Sequence, residues 1–223
     1  TGDTRFVETG SSDDVIVLAR TDRDATLEAG SGSDTLFGEA ALGIWSRIVL
    51  NGTDGDGFVG EVTSREYDDT TGAAQDVANA GTVTLAGGFT GFQGKGVDDE
   101  PDTIVAAFDG AYDWNVSAVN TGSLEVDGKT FSYAEAMRGE ATTGTATLSY
   151  AGYGKGVTVD LSRTAADGFQ QFIGTAVEVL IGTDFADTLI GGDATKTVTG
   201  SDGDDSLGIR GHADRVVDGG DGT

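Results

Sequence analysis

The sequence predicts an all-β protein, a parallel β-roll or β-helix (a solenoid) with calcium-binding turns and an irregular insertion. Three observations support this fold class. Aliphatic residues recur every nine positions near the carboxyl end, Gly-Asp-rich stretches separate them, and the chain has 37 glycines but one proline. The aliphatic positions are Leu180, Leu189, Val198, Leu207 and Val216. Neither a helix nor an ordinary hairpin sheet needs a period of nine, whereas short strands joined by stacked turns do.

The composition limits the classes of function. With 223 residues, 37% of them hydrophobic, the chain can bury a sizeable core. Acidic residues outnumber basic ones, 38 against 13, and the net charge of −25 repels nucleic acid and anionic lipid. The absence of cysteine excludes disulfides and thiolate metal sites. No apolar run approaches the ~18 residues of a membrane helix.

Four segments differ in pattern along the chain. Residues 1–38 form N-terminal roll coils, with strand centres at Phe6, Ile16, Leu27 and Leu36, spaced ten, eleven and nine apart. Residues 39–100 lose the period and are predicted to be an insertion that decorates the repeat, with a short helix near 73–80. Residues 101–176 form a β-rich solenoid or hairpin segment. Residues 177–223 form the strict C-terminal roll, which we expect to continue beyond residue 223.

The turns between the strands carry the candidate chemistry. When each buried aliphatic residue is numbered position eight, position six falls two residues before it, inside the acidic turn. In the C-terminal region position six is Glu178, Asp187, Lys196, Asp205 and Asp214, and in the N-terminal region it is Thr4, Asp14, Ala25 and Asp34. Calcium takes six to eight oxygen ligands from carboxylates and carbonyls, and glycines let a turn direct its carbonyls inward.

The candidate metal ligands are the turn carboxylates and the glycines that shape the same turns. They are Asp14, Asp34, Asp184, Asp187, Asp202, Asp204, Asp205, Asp214, Gly30, Gly32, Gly182 and Gly200. Turns two repeats apart stack on one edge, so Asp187 and Asp205 should share one calcium ion, and Asp14 and Asp34 another. The latter pair is separated by twenty residues, which needs a two-residue bulge between Asp14 and Ala25. The alternative is a set of solvated acidic turns in an ordinary β-protein.

The opposite edge of the C-terminal roll should carry an ion ladder instead of a metal. There Glu178, Lys196 and Asp214 are expected to stack in this order. A lysine between two carboxylates cannot ligate calcium, so its ammonium group should replace the metal. Replacing Lys196 with aspartate should then create a new calcium site.

These turns resemble the RTX, or haemolysin-type, calcium-binding repeat family of large secreted bacterial proteins. Residues 29–37 and 200–207 are similar to its Gly-Gly-x-Gly-x-Asp-x-hydrophobic-x pattern. Residues 156–161, 172–182 and 185–192 resemble segments that precede such repeats, and the likeness covers about 1–38 and 101–223. The resemblance implies a calcium-bound parallel β-roll, type I secretion, and folding outside the cell or at the bacterial surface. Thr4, Ala25 and Lys196 depart from the family's aspartate.

No catalytic set is recognisable, so we expect a protein that is not an enzyme. The one histidine, His212, lies in a repeat turn and has no motif around it. The predicted function is a calcium-dependent structural module of a secreted surface protein: an adhesin, an S-layer protein or a filament scaffold. Its partners would be calcium, neighbouring repeats or identical subunits that cap the roll, and a cell-surface glycan.

Two alternatives remain open. One is a polysaccharide lyase or epimerase built on a β-helix. The other is an adhesin tip in which the insertion binds a ligand, with Trp45, Tyr112 and Trp114 as candidates for stacking on a sugar.

Overall fold

The computed structural model describes residues 5–8, 10–17, 25–37, 44–54, 57–67, 74–76, 82–94, 102–136, 138–210 and 214–222. Within these ranges the chain is nearly all β, which confirms the predicted class, and a 3-10 turn spans Leu161–Arg163. The sheets are mixed, because antiparallel pairs lie beside parallel ladders, so the expectation of a purely parallel arrangement is wrong. No described helix is long and apolar enough to cross a membrane.

The strands are numbered in chain order. They are β1 Arg5–Glu8, β2 Val15–Val17, β3 Ala25–Glu28, β4 Asp34–Phe37, β5 Ile44–Thr53, β6 Phe58–Tyr67, β7 Ala74–Asp76, β8 Val83–Gln93, β9 Thr103–Ala106, β10 Ala111–Ala118, β11 Thr121–Val126, β12 Lys129–Ala134, β13 Arg138–Ala141, β14 Thr145–Ser149, β15 Thr158–Asp160, β16 Ala165–Ala166, β17 Gln171–Ile173, β18 Val177–Ile181, β19 Thr188–Gly191, β20 Thr197–Thr199, β21 Ser206–Ile209 and β22 Val216–Asp218.

The chain divides into two units. Unit 1 comprises residues 1–105 and 129–136, and unit 2 comprises residues 106–128 and 137–223. The four-segment division that the sequence suggests stays a prediction.

Unit 1 contains two parallel ladders that meet in one long strand. β1, β3 and the first half of β8 form one ladder, and β2, β4 and the second half of β8 form the other. The aligned rows are Val7–Leu27–Leu85 and Ile16–Leu36–Phe92. The first two members of each row are twenty residues apart, which is two more than two nine-residue repeats, as the predicted two-residue bulge requires. Phe6 is one of the two central residues of β1, but it is Val7 that aligns with Leu27 in the first row.

Strand β8 turns a corner at Gly87 and Gly88. Both residues have positive φ, +157° and +80°, which residues with a side chain rarely adopt. A β-carbon on Gly88 would also lie 2.4 Å from the carbonyl oxygen of Gly30, which is closer than van der Waals contact allows. The corner therefore allows one strand to add to both ladders without a loop.

Antiparallel pairs join the other described strands of the segment predicted as an insertion. β5 and β6 form a hairpin, and β7 pairs antiparallel with β6 through Tyr67 and Ala74. The helix expected near 73–80 is wrong at Ala74–Asp76, where β7 lies; residues 73 and 77–80 lie outside the described residues. A helix of two turns is marginal by itself, whereas an edge strand gains backbone hydrogen bonds from an existing sheet.

Unit 2 also contains two parallel ladders. One consists of β10, β14, β18, β20 and β22, and the other of β15, β19 and β21. The aligned apolar rows are Trp114–Leu148–Leu180–Val198–Val217 and Val159–Leu189–Leu207. Most of these side chains are fully buried, so the nine-residue period follows the core.

The register changes at the last strand. Val198 aligns with Val217 and not with Val216, whose side chain is 57% exposed. The prediction that Val216 continues the buried row is therefore wrong. The interval from Leu207 to Val217 is ten residues instead of nine, and all three residues of β22 are exposed.

Candidate functional site

The N-terminal turns stack through an aspartate that caps the backbone of its neighbour. The Asp34 Oδ1 atom accepts a hydrogen bond of 2.9 Å from the backbone N–H of Asp14. In the reverse direction the Asp13 Oδ1 atom accepts one of 2.8 Å from the N–H of Ser33. Two turns twenty residues apart are thus brought into contact, as the repeat predicts.

Glycine is required where these two turns touch. Gly30 has φ of +76°, and a β-carbon there would overlap the carbonyl of Gly10. Gly32 has φ of +141°, and a β-carbon there would lie 2.6 Å from the carbonyl oxygen of Ser12. These predicted site glycines therefore serve the close approach of two backbones.

The Asp14 and Asp34 carboxylates each keep one buried oxygen without a hydrogen-bond partner, the Oδ2 atom. Asp34 is fully buried. Burial raises the pKa of the Asp34 carboxyl, and the charges of Asp14 and Asp13 raise it further, while the N–H of Asp14 opposes the shift. Ionised, this pair is a concentrated negative charge with free lone pairs, which a cation would stabilise.

The C-terminal turns repeat the same capping geometry. The Asp205 Oδ1 atom accepts a 2.9 Å hydrogen bond from the N–H of Asp187, eighteen residues earlier. The Asp205 Oδ2 atom is buried and has no hydrogen-bond partner. A β-carbon on Gly200 would overlap the Asp205 carboxylate, and one on Gly182 would overlap that of Asp187. The first glycine of each turn therefore makes room for the carboxylate at position six.

Asp187 differs from the other position-six aspartates because both of its oxygens are occupied. Its Oδ1 atom accepts hydrogen bonds from the N–H of Val157 at 2.7 Å and from the Thr183 hydroxyl at 3.0 Å. Its Oδ2 atom accepts one of 2.7 Å from the Thr183 N–H. Asp187 is only 3% exposed, so these three donors satisfy a buried charge without a metal. Sequence reasoning missed Thr183, whose only signal was a hydroxyl one residue after the first turn glycine.

The remaining predicted acidic ligands lie on the surface. Asp184, Asp202 and Asp204 are exposed. Asp214 is also exposed, with φ of +73°, and Arg215 takes the position opposite Lys196 that the sequence assigns to Asp214. The placement of Asp214 in the stack is therefore wrong, because the coil contains one extra residue.

The opposite edge carries part of the predicted ion ladder. The Lys196 Nζ atom lies 2.6 Å from the Glu178 Oε1 atom, and Lys196 N–H donates to the Glu178 carbonyl at 2.7 Å. Arg215, which the sequence analysis did not select, follows in place of Asp214.

The aromatic candidates for sugar stacking are core residues where their side chains are described. Trp114 is fully buried and packs edge-on against Phe172, with ring centroids 5.0 Å apart. Tyr112 is 3% exposed and donates its hydroxyl to the Thr143 carbonyl at 3.1 Å. The Trp45 side chain, Thr4 and His212 lie outside the described residues.

Among the described residues, no three acidic or histidine side chains converge as a metal-binding group. A calcium ion at these turns would therefore combine one or two carboxylates with backbone carbonyls, which are ordinary calcium ligands. No family model, curated protein or solved structure matches the chain.

Proposed function

We propose that the chain is a calcium-stabilised structural module whose turns bind calcium at the Asp14–Asp34 stack and at Asp205. The observation that carries this proposal is a repeated one. In both stacks the position-six aspartate uses one oxygen to cap its neighbour's backbone and leaves the other buried without a hydrogen bond. Buried polar atoms are normally paired, so an unpartnered oxygen at the same repeat position of two turns far apart in the sequence supports a bound cation as its partner.

Calcium fits these oxygens better than the other common partners. A carboxylate with a free lone pair and nearby turn carbonyls is a hard oxygen environment, which calcium prefers over transition metals. A proton could satisfy Asp34 instead, as its raised pKa indicates. Near neutral pH, however, a divalent cation would also offset the repulsion within a chain of net charge −25.

The finer fold that we propose is a β-roll, in which each coil contributes one strand to each of two ladders. The support for it is the register. In unit 2, Leu180 aligns with Val198 and Leu189 with Leu207, so these two coils take eighteen residues each. In unit 1 the corresponding coil takes twenty.

In this proposal calcium binding supplies part of the folding free energy. The unfolded chain has no preformed site, so an ion that binds the folded turns stabilises them by RT ln(1 + [Ca]/Kd), about 2.7 kcal/mol at a hundredfold excess over Kd. Such a module would be less stable where calcium is scarce and more stable where it is plentiful. This behaviour suits a secreted surface protein such as an adhesin, an S-layer protein or a filament scaffold, as the RTX resemblance implies.

The first experiment measures folding against calcium. Circular dichroism of the whole chain should show β structure in calcium, and a large drop in melting temperature in chelator. Isothermal titration should then give fewer bound ions for Asp34→Asn and Asp205→Asn than for Asp113→Asn, which removes one exposed carboxylate from β10. The proposal fails if the chain is equally stable in chelator and titrates no calcium.

A further inference from the structure

The turn at residues 192–195 directs three backbone carbonyls at one guanidinium group. The Arg215 Nη2 atom donates to the Asp193 carbonyl at 2.6 Å, and the Nη1 atom donates to the Gly192 carbonyl at 3.4 Å. Nη1 also donates to the Thr195 carbonyl. Arg215 is half-buried, so this contact is partly shielded from water.

Arg215 lies in the next coil, at the same turn position that Asp205 holds on the other edge. The β20–β22 pairing aligns Thr197 with Val216, which places Arg215 opposite Lys196. Asp205 is likewise opposite Asp187 in the β19–β21 pairing. The two edges therefore have the same architecture with opposite charge at the position that contacts the preceding turn.

We propose that the Arg215 guanidinium group takes the place of a metal ion among the three carbonyl oxygens of turn 192–195. This edge of unit 2 would then be stable without metal. Three converging carbonyl oxygens are the kind of ligand set that calcium uses. A guanidinium group offers five donors in a planar fork, so one side chain can satisfy all three oxygens. The three carbonyl oxygens that calcium could use are thus already bound by the guanidinium group.

The neighbouring ion pair extends the same arrangement. Lys196, opposite Arg215, is paired with Glu178 of the coil before it. The charged groups along this edge are thus, in order, the Glu178 carboxylate, the Lys196 ammonium and the Arg215 guanidinium. The Glu178 carboxylate is already paired with Lys196. The inference deepens the proposed function by assigning calcium dependence to one edge of unit 2, but the Arg215 contacts themselves exist without the ion.

The first test is made in chelator, where no calcium can contribute. Arg215→Ala should lower the melting temperature by several degrees, roughly 3–10 °C, because three carbonyls lose a charged donor. Hydrogen exchange should localise the effect, with the Val216 amide, which bonds the Lys196 carbonyl, exchanging at least about tenfold faster. Arg210→Ala is the matched control, since it removes an exposed arginine after β21. Equal behaviour of the two variants would overturn the inference.

The second test converts this group of carbonyl oxygens into a metal site. Arg215→Asp supplies the missing carboxylate, so native mass spectrometry should show one more bound calcium than in the wild type. Arg215→Lys keeps the charge but not the planar fork, and in chelator it should recover less than half of the lost melting temperature. Full recovery by lysine, or no added ion in a folded Arg215→Asp variant, would contradict the assignment.

The two proposals can fail separately. A wild-type chain that binds no calcium refutes the proposed function, while a difference between Arg215→Ala and Arg210→Ala in chelator would still support the role of the Arg215 guanidinium group.

Discussion

Replacing Asp34 with asparagine should change stability in opposite directions with and without calcium. Asparagine preserves the shape of the side chain and an oxygen that can accept the Asp14 N–H bond. It removes the charge and the unpartnered Oδ2 atom from a fully buried position. The cap is kept, while a neutral amide NH2 group, which cannot ligate a cation, replaces the free oxygen.

The magnitudes follow from the two states of that oxygen. In chelator, removal of a buried negative charge beside Asp14 and Asp13 should stabilise the variant by about 1–3 kcal/mol, or roughly 2–4 °C for each kcal/mol in a chain of this size. In saturating calcium, loss of the ion should destabilise it by about 2–3 kcal/mol at a hundredfold excess over Kd. The melting temperatures of variant and wild type should therefore cross as calcium is added.

Differential scanning calorimetry across a calcium titration is the assay, with Asp113→Asn as the charge-matched control. The control should shift both states by less than about 0.5 kcal/mol, as surface substitutions do. A variant that is less stable than wild type in chelator would show that the Oδ2 atom is already satisfied without metal, and the reasoning would be refuted.

The same carboxylate predicts a pH dependence. The pKa of Asp34 is raised above 3.8 in the fold, so its ionised form destabilises the folded state. That penalty is absent below the unfolded pKa and is complete once pH exceeds the folded value. Metal-free protein should thus lose stability as pH rises through this window, and Asp34→Asn should lack this component. Urea midpoints measured in chelator from pH 3.5 to 7 would test it, and identical slopes would contradict it.

Three further changes test the core and the turns by urea unfolding. Leu189→Ala should cost about 2–5 kcal/mol, because it empties a fully buried position between neighbouring coils; a loss below 1 kcal/mol would place Leu189 outside the core. Gly30→Ala should destabilise strongly, whereas Gly110→Ala, with open space around its α-carbon, should be nearly neutral. Thr183→Val should cost about 0.5–1.5 kcal/mol equally with and without calcium, since its hydroxyl satisfies Asp187 in place of a metal; a calcium-dependent cost would assign Asp187 to the ion site.

Much of the β architecture could be read from the pattern of the chain. The spacing of Leu180, Leu189, Val198 and Leu207 specifies which residues face the core, because coil length is set by strand rise and turn length. The same spacing places Asp14 against Asp34 and Asp187 against Asp205, and both pairs are in contact. Periodicity is a property of the backbone path, so the sequence expresses it directly.

The segment at residues 39–100 was harder to read. A short alanine-rich stretch favours helix locally, but the free edge of β6 offers hydrogen bonds that local propensity does not include. The corner at Gly87 and Gly88 likewise appears as an ordinary glycine pair in the sequence. Only the pairing of the two halves of β8 with β3 and β4 shows that this corner joins two ladders.

By itself, the sequence determined the all-β class, the buried rows and the pairing of acidic turns, because each follows from regular intervals along one chain. Only the tertiary structure decided which carboxylate oxygens stay free. Asp187 is satisfied by Val157, thirty residues away, and by a turn hydroxyl, while Asp34 and Asp205 keep a vacant oxygen. One extra residue before β22 also replaced Asp214 with Arg215 at the stacked position. Hydrogen-bond saturation depends on neighbours from other coils, which no spacing within a single repeat can specify.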